Sequence, residues 1–279
     1  MRRILVTGCN GQLGRAINEE YKTDDVTLIN TDVAELDITD VAQVVTFAEK
    51  EQPDVIINCA AHTNVNACES EFDLAFRINA IGPRNLSIAA RKVGAKMIHV
   101  STDYVFDGSA SEPYTELSPV CPLGAYGKTK LAGEEFVKQF SDKFYIVRTA
   151  WLYGDGKNFV KTMLSLGKER GEVGVVCDQI GSPTSAKELA KMIHALEPTE
   201  NYGLYHGTCE GFCSWAEFAE KIFEFAGMDV KVNHLTTDQY PTPAKRPAYS
   251  VLDNYMLRMT TDFTFAQWED ALREYMINN

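Results

Sequence analysis

Apolar residues gather in short unbroken runs through the first half of the chain, separated by polar punctuation. Residues 3–8 (RILVTG), 26–32 (VTLINTD), 54–60 (DVIINCA), 96–102 (KMIHVST) and 145–153 (YIVRTAWLY) are the clearest. Several are continuously apolar rather than alternating, the pattern of strands covered on both faces. Between them the period becomes helical: residues 41–51 (VAQVVTFAEKE) predict a helix with Asp40 as N-cap, and residues 74–94 (LAFRINAIGPRNLSIAARKVG) one that stops on Gly94. Strands alternating with helices predict right-handed βαβ units, hence an α/β fold with a doubly wound parallel sheet of the Rossmann kind.

After Gly154 the rhythm loosens into shorter elements and clusters such as DQIGSPTS (178–185) and YPTPAKRP (240–247), with one clear helix after Ser214 that stops on Gly227. The expected division is a dinucleotide-binding domain over residues 1–153 and a smaller C-terminal substrate lobe over 154–279, from which the chain is free to cross back to the sheet.

Composition narrows the function. The chain has 279 residues, enough for a full core, and 45% apolar with 24% charged residues suits a folded protein. A net charge of -12 argues against nucleic acid or an anionic membrane as partner. The opening MRRILVTG runs straight into a strand, and no run of about 18 apolar residues appears, so a cytoplasmic protein is expected. Seven cysteines, an odd count, read as reduced thiols. Cys209 and Cys213 with His206 suggest zinc, but no second ligand pair follows, so packing is preferred and no metal is expected.

TGCNGQLG places Gly8, Gly11 and Gly14 between a strand and a helix, where backbone amides can cradle a pyrophosphate; Asn10, Gln12 and Leu13 share that loop. Asp32 closes the second strand and can accept from both adenosine ribose hydroxyls, which favours NADH, with NADPH possible. Asp37 and Ile38 can flank the adenine, though Asp37 equally suits a cap. Ala60, Ala61 and Thr63 leave the third strand with little bulk to obstruct a cofactor, and His62 reads as a loop histidine. Thr102 ends the fourth strand, where open α/β sheets bind ligands. In YGKTK, Tyr126 and Lys130 sit four apart, on one helix face. Alone this spacing fits any surface pair; beside a dinucleotide loop and Thr102 it completes a proton-donor set. Lys130 is expected to draw the phenol toward neutrality and to hold the nicotinamide ribose.

On TGCNGQLG, PDVIINCAAHTNV, STDYVFDG, YGKTKLAGE, RTAWLYG, NFVKTM, DQIGSPT, GLYH and YPTPAKRP, the chain resembles the dTDP-4-dehydrorhamnose reductase family of extended short-chain dehydrogenases/reductases. The resemblance spans nearly the whole length. It implies NAD(P)H-dependent reduction of the 4-keto group of dTDP-4-dehydro-L-rhamnose, for cell-surface polysaccharide synthesis. It also implies Thr102, Tyr126 and Lys130 as catalytic residues and Trp151 as a substrate contact. Asp103 can position a sugar hydroxyl or serve a turn. Arg246, with Lys161 or Lys245, is a candidate for the diphosphate or a plain surface residue, and Trp151 and Tyr153 offer a wall for the base. Alternatives are another nucleotide-sugar reductase, an epimerase, or a non-catalytic binding subunit, as monomer or homodimer. A dehydratase is disfavoured because Asp103 is followed by Tyr104 rather than Glu.

Overall fold

Each unbroken apolar run must hide both of its faces, and the computed structural model, which describes residues 1–278, shows how. The chain runs β1 (Arg2–Thr7), α1 (Gln12–Glu20), β2 (Val26–Thr31), α2 (Val41–Glu51), β3 (Val55–Asn58), α3 (Val65–Ser70), α4 (Phe72–Phe76), α5 (Gly82–Val93), β4 (Lys96–Thr102), α6 (Ala125–Phe140) and β5 (Phe144–Thr149). It continues through β6 (Leu152–Tyr153), α7 (Phe159–Arg170), β7 (Glu172–Val176), β8 (Ile180–Gly181), β9 (Thr184–Ser185), α8 (Ala186–Leu196) and β10 (Gly203–His206). Last come β11 (Cys213–Ser214), α9 (Trp215–Phe225), β12 (Lys231–Leu235), α10 (Tyr255–Thr260) and α11 (Trp268–Ile277).

The main sheet has the order β10-β5-β4-β3-β1-β2, and every pairing in it is parallel. Side chains alternate across it: Ile4 and Val6 of β1 join Leu13, Ile17 and Leu189 in one buried cluster, while Leu5 joins Leu36, Val44 and Leu86 in the other. Burying each such side chain stabilises by roughly 1.5–3 kcal/mol. β2 and β3 flank β1 on opposite sides, so the strand order reverses there and leaves a crevice at the strand ends. After β5 the chain forms small two-stranded pairings, β6 with β9, β8 with β11 and β7 with β12. It crosses back to the main sheet in β10. Val160, Phe218, Ile222 and Leu272 share a buried cluster with Ile4 and Val6, so these later helices and the sheet have a continuous core.

The caps follow the sequence: Asp40 accepts from the amides of Ala42 and Gln43, and Ser214 forms a capping box with Glu217. Two expected elements are interrupted. The helix expected over 74–94 becomes α4, a π-helical turn over Arg77–Ile81 and then α5, whose Pro83 lacks the amide that a continuous helix would use. The strand expected over 145–153 ends at Thr149, because Trp151 adopts φ 48, a left-handed conformation incompatible with a strand. Among the described residues no helix is long and apolar enough to cross a membrane.

Candidate active site

Gly8 follows β1 with φ 65, and a Cβ there would lie 2.8 Å from the backbone of Ala60. A Cβ on Gly14 would lie 2.3 Å from the Gly8 carbonyl, so α1 reaches the loop only because that side chain is missing. Gly11 is the N-cap of α1 and supplies no side-chain cap, leaving first-turn amides for a phosphate. Gly8 and Gly11 border a cavity of about 750 Å³, within the range of small-molecule sites.

Gly8, Gly11, Gln12 and Leu13 line one end of this cavity, with Asp32, Asp37 and Ile38 along a wall and Ala60, Ala61 and Thr63 beside them. Thr102, Asp103, Tyr126, Lys130 and Trp151 line the rest. Three of the expected residues lie outside the lining. Gly14 packs beneath the loop. Asn10 is exposed, donating its amide to Asp32 Oδ2 at 3.3 Å and accepting from Arg15 Nε at 2.9 Å through its carbonyl. Arg246 stands beside Tyr104, and its Nε is buried without a partner. Of the other residues considered, Lys161 is tied to Asp155 at 3.3 Å, Lys245 is exposed, and Tyr153 is buried away from the cavity; Lys157 lines it instead.

Tyr126 sits on the first turn of α6 and Lys130 on the next. Glu69 Oε1 accepts from the Ala125 amide at 2.8 Å and so fixes where the helix starts. Gly127 lets the helix approach the strand end, since a Cβ there would lie 2.1 Å from the Tyr104 carbonyl. The Tyr126 phenol lies beside Thr102, whose hydroxyl donates to Asp103 Oδ1 at 3.0 Å and accepts from the Tyr104 amide at 3.2 Å. Lys130 Nζ donates to the Val100 carbonyl at 2.6 Å.

Burial dominates the electrostatics here. It lifts the Tyr126 phenol well above its ordinary range against the lowering effect of Thr102, with Asp103, Tyr104 and Cys68 adding to the rise. It also depresses Lys130 to about 8, against an opposing pull from Glu134. The expected near-neutral phenol is therefore not found: desolvation outweighs any ammonium effect, and Lys130 is bound to a backbone carbonyl.

Burial pushes Asp103 up to about 6, with the Ser250 and Thr102 hydroxyls opposing. The raised carboxyl favours the fold below the ordinary Asp value of 3.8, and that contribution is lost as pH rises through about 6. Asp103→Asn is thus expected to gain stability relative to wild type between pH 4 and 8, by up to about 3 kcal/mol. Denaturant unfolding of both proteins across that range checks it, and a pH-independent difference would contradict the assignment.

Some residues in and around the cavity have no signal in the sequence. Trp215 stacks on Trp151 with ring centroids 3.6 Å apart and planes 9° apart. Gly181 leaves room for the Trp151 ring, since a Cβ there would lie 2.5 Å from it. The left-handed Trp151 stores about 1–3 kcal/mol of strain that this packing holds in place. Asn79, in the π turn, accepts from the His62 amide at 2.8 Å and donates to Thr129 on α6 at 3.2 Å, tying the Ala60–Thr63 loop to α6. Ser214 as an N-cap signalled a helix start, but no local pattern says where Trp215 points.

The residues fit a dinucleotide. The glycine cradle admits a pyrophosphate, Asp32 can accept from ribose hydroxyls, and the buried, partnerless Thr149 Oγ1 and Asp103 Oδ2 border the cavity near Tyr126. Among the described residues no cluster of His, Cys, Asp or Glu could hold a metal ion.

Fold and site together define a nicotinamide-dependent oxidoreductase of the short-chain dehydrogenase/reductase type. A family model described as RmlD substrate binding domain matches residues 1–279, and the chain belongs to that family. It is 56% identical to the dTDP-4-dehydrorhamnose reductase of Clostridium acetobutylicum, with a TM-score of 0.97 covering 99% of both chains. It is 46% identical to the enzyme of that name from Bacillus anthracis, solved in complex with NADP, with a TM-score of 0.98 covering 100% of both. The curated dTDP-4-dehydrorhamnose reductase of Aggregatibacter actinomycetemcomitans is 40% identical over 292 residues, covering 98% of this chain and 98% of its own.

Proposed function

We propose that this chain reduces the 4-keto group of dTDP-4-dehydro-L-rhamnose to give dTDP-L-rhamnose, using NADH or NADPH, for cell-surface polysaccharide synthesis. The carrying observation is that Thr102, Tyr126 and Lys130 line the same cavity as the glycine loop. When bound, a reduced nicotinamide supplies a hydride to the sugar carbonyl carbon. Tyr126 passes its phenol proton to the carbonyl oxygen as that carbon is reduced. Its raised pKa keeps the proton in place until an alkoxide, a stronger base, develops. Thr102 orients that oxygen, and the Lys130 ammonium offsets the phenolate left behind and holds a ribose hydroxyl. Lys157 on the cavity wall, with Arg246 beside Tyr104 and its Nε unpartnered, supplies cations for the diphosphate, and the Trp151–Trp215 pair a wall for the base or sugar. The seven unpaired cysteines support a reducing, cytoplasmic setting. Steady-state oxidation of NADH and NADPH against a panel of dTDP- and UDP-4-keto sugars tests the reading; activity only on other sugars would redirect it.

Asp32 decides between the cofactors. Its carboxylate lines the cavity and accepts from the Val33 amide at 2.8 Å, so a 2′-phosphate there meets a like charge. NADH is expected to serve at least as well as NADPH, even though the Bacillus anthracis relative was solved with NADP. Asp32→Ala is expected to shift the kcat/KM ratio toward NADPH by about tenfold. A wild type that strongly prefers NADPH would remove Asp32 from the ribose.

A further inference from the structure

Three buried polar side chains join the elements that carry the reacting groups. Ser101 precedes Thr102 on β4, Arg148 precedes Thr149 on β5, and Glu134 lies one turn beyond Lys130 on α6; their exposures are 3%, 2% and 0%. Arg148 Nε and Nη2 donate to Glu134 Oε1 and Oε2 at 2.9 and 2.7 Å, and Ser101 Oγ donates to Oε1 at 2.5 Å. Ser101 and Arg148 are register partners across the β4–β5 ladder, as are Thr102 and Thr149. A fully buried ion pair yields little net stability, because desolvation offsets most of the attraction. What the arrangement does supply is a fixed geometry between one helix and two strands.

We propose that Glu134 is a positioning residue for the reduction: gripped by Arg148 and Ser101, it seats α6 so that Tyr126 meets Thr102, and it sets a fixed negative charge one turn from the Lys130 ammonium. This rests on the reductase reading above. Three titratable groups bear on Lys130, namely Glu134 on α6, Cys59 after β3 and His99 on β4, and Tyr126 stands one turn before it on the same helix. Burial pushes the Cys59 thiol up to about 12, lifts the Tyr126 phenol and drives His99 well below its ordinary value, so all three are neutral near pH 7. Glu134 is then the charge that opposes the desolvation of Lys130.

Initial rates of NAD(P)H oxidation with dTDP-4-dehydro-L-rhamnose across pH test this on the intact protein. Glu134→Gln is expected to lower kcat by about ten- to a hundredfold, with KM and dinucleotide affinity within about threefold. Without the carboxylate Lys130 loses its proton more readily, so the alkaline fall in kcat/KM moves to lower pH. Glu134→Asp keeps the charge but shortens the reach, so kcat drops while the alkaline fall stays near its wild-type position. A Glu134→Gln protein with wild-type kcat and pH profile, and only a lower melting temperature, overturns the inference. If that variant does not fold, Glu134→Asp decides: unchanged kcat, or a displaced alkaline fall, overturns it. Wild-type protein inactive on the keto sugar overturns the reductase reading and this inference with it; an active wild type with an unaltered Glu134→Gln overturns the inference alone.

Discussion

Replacing Tyr126 by Phe is expected to lower kcat for keto-sugar reduction by at least about a hundredfold, since general acid catalysis contributes 10²–10⁴ and only the donor is removed. The ring itself stays supported. It packs edge-on to Tyr104 at 5.5 Å and against Cys68, Ala75 and Ala125, contacts a Phe retains. Dinucleotide affinity is therefore expected within a few-fold of wild type. Steady-state rates paired with equilibrium binding of NADH and NADPH give both numbers, and near-normal turnover would take the proton-donor role from Tyr126.

Lys130→Met is expected to harm chemistry and binding together. The substitution keeps a long, flexible side chain in a fully buried slot but removes the charge and the hydrogen bond to Val100. Turnover should fall by about a hundredfold or more, and the dinucleotide dissociation constant should rise by about tenfold. A pH dependence in the wild type goes with this. Lys130 is depressed to about 8 by burial, so it is charged below that value, and reduction should decline as pH rises through it. A variant with unaltered affinity, together with a wild type active without decline well above pH 8, would remove Lys130 from the account.

The sheet was legible in the sequence because burial on two faces leaves unbroken apolar runs, and β1 to β4 follow those runs to within a residue or two. The loop of Gly8, Gly11 and Gly14 was legible because backbone approach there demands the missing side chain. The break at Trp151 was not. Ala150 and Trp151 continue the apolar pattern of β5, and the left-handed turn at Trp151 goes with a stack on Trp215, far along the chain. The buried grip of Arg148 on Glu134 is invisible for the same reason: each residue reads as a charge on its own element, and the pairing exists only once α6 lies on β5. Spacing put Tyr126 and Lys130 on one face, but their proton affinities depend on how much water the fold excludes. Burial proved the larger effect.

The purified protein is incubated with dTDP-4-dehydro-L-rhamnose and NADH or NADPH deuterated at the transferred position of the nicotinamide, and the sugar product is examined by NMR and mass spectrometry. One equivalent of cofactor is expected to be oxidised per sugar, with the deuterium on C4 of dTDP-L-rhamnose. Sugar turnover without net cofactor oxidation, or label appearing elsewhere than C4, would contradict the proposed reduction.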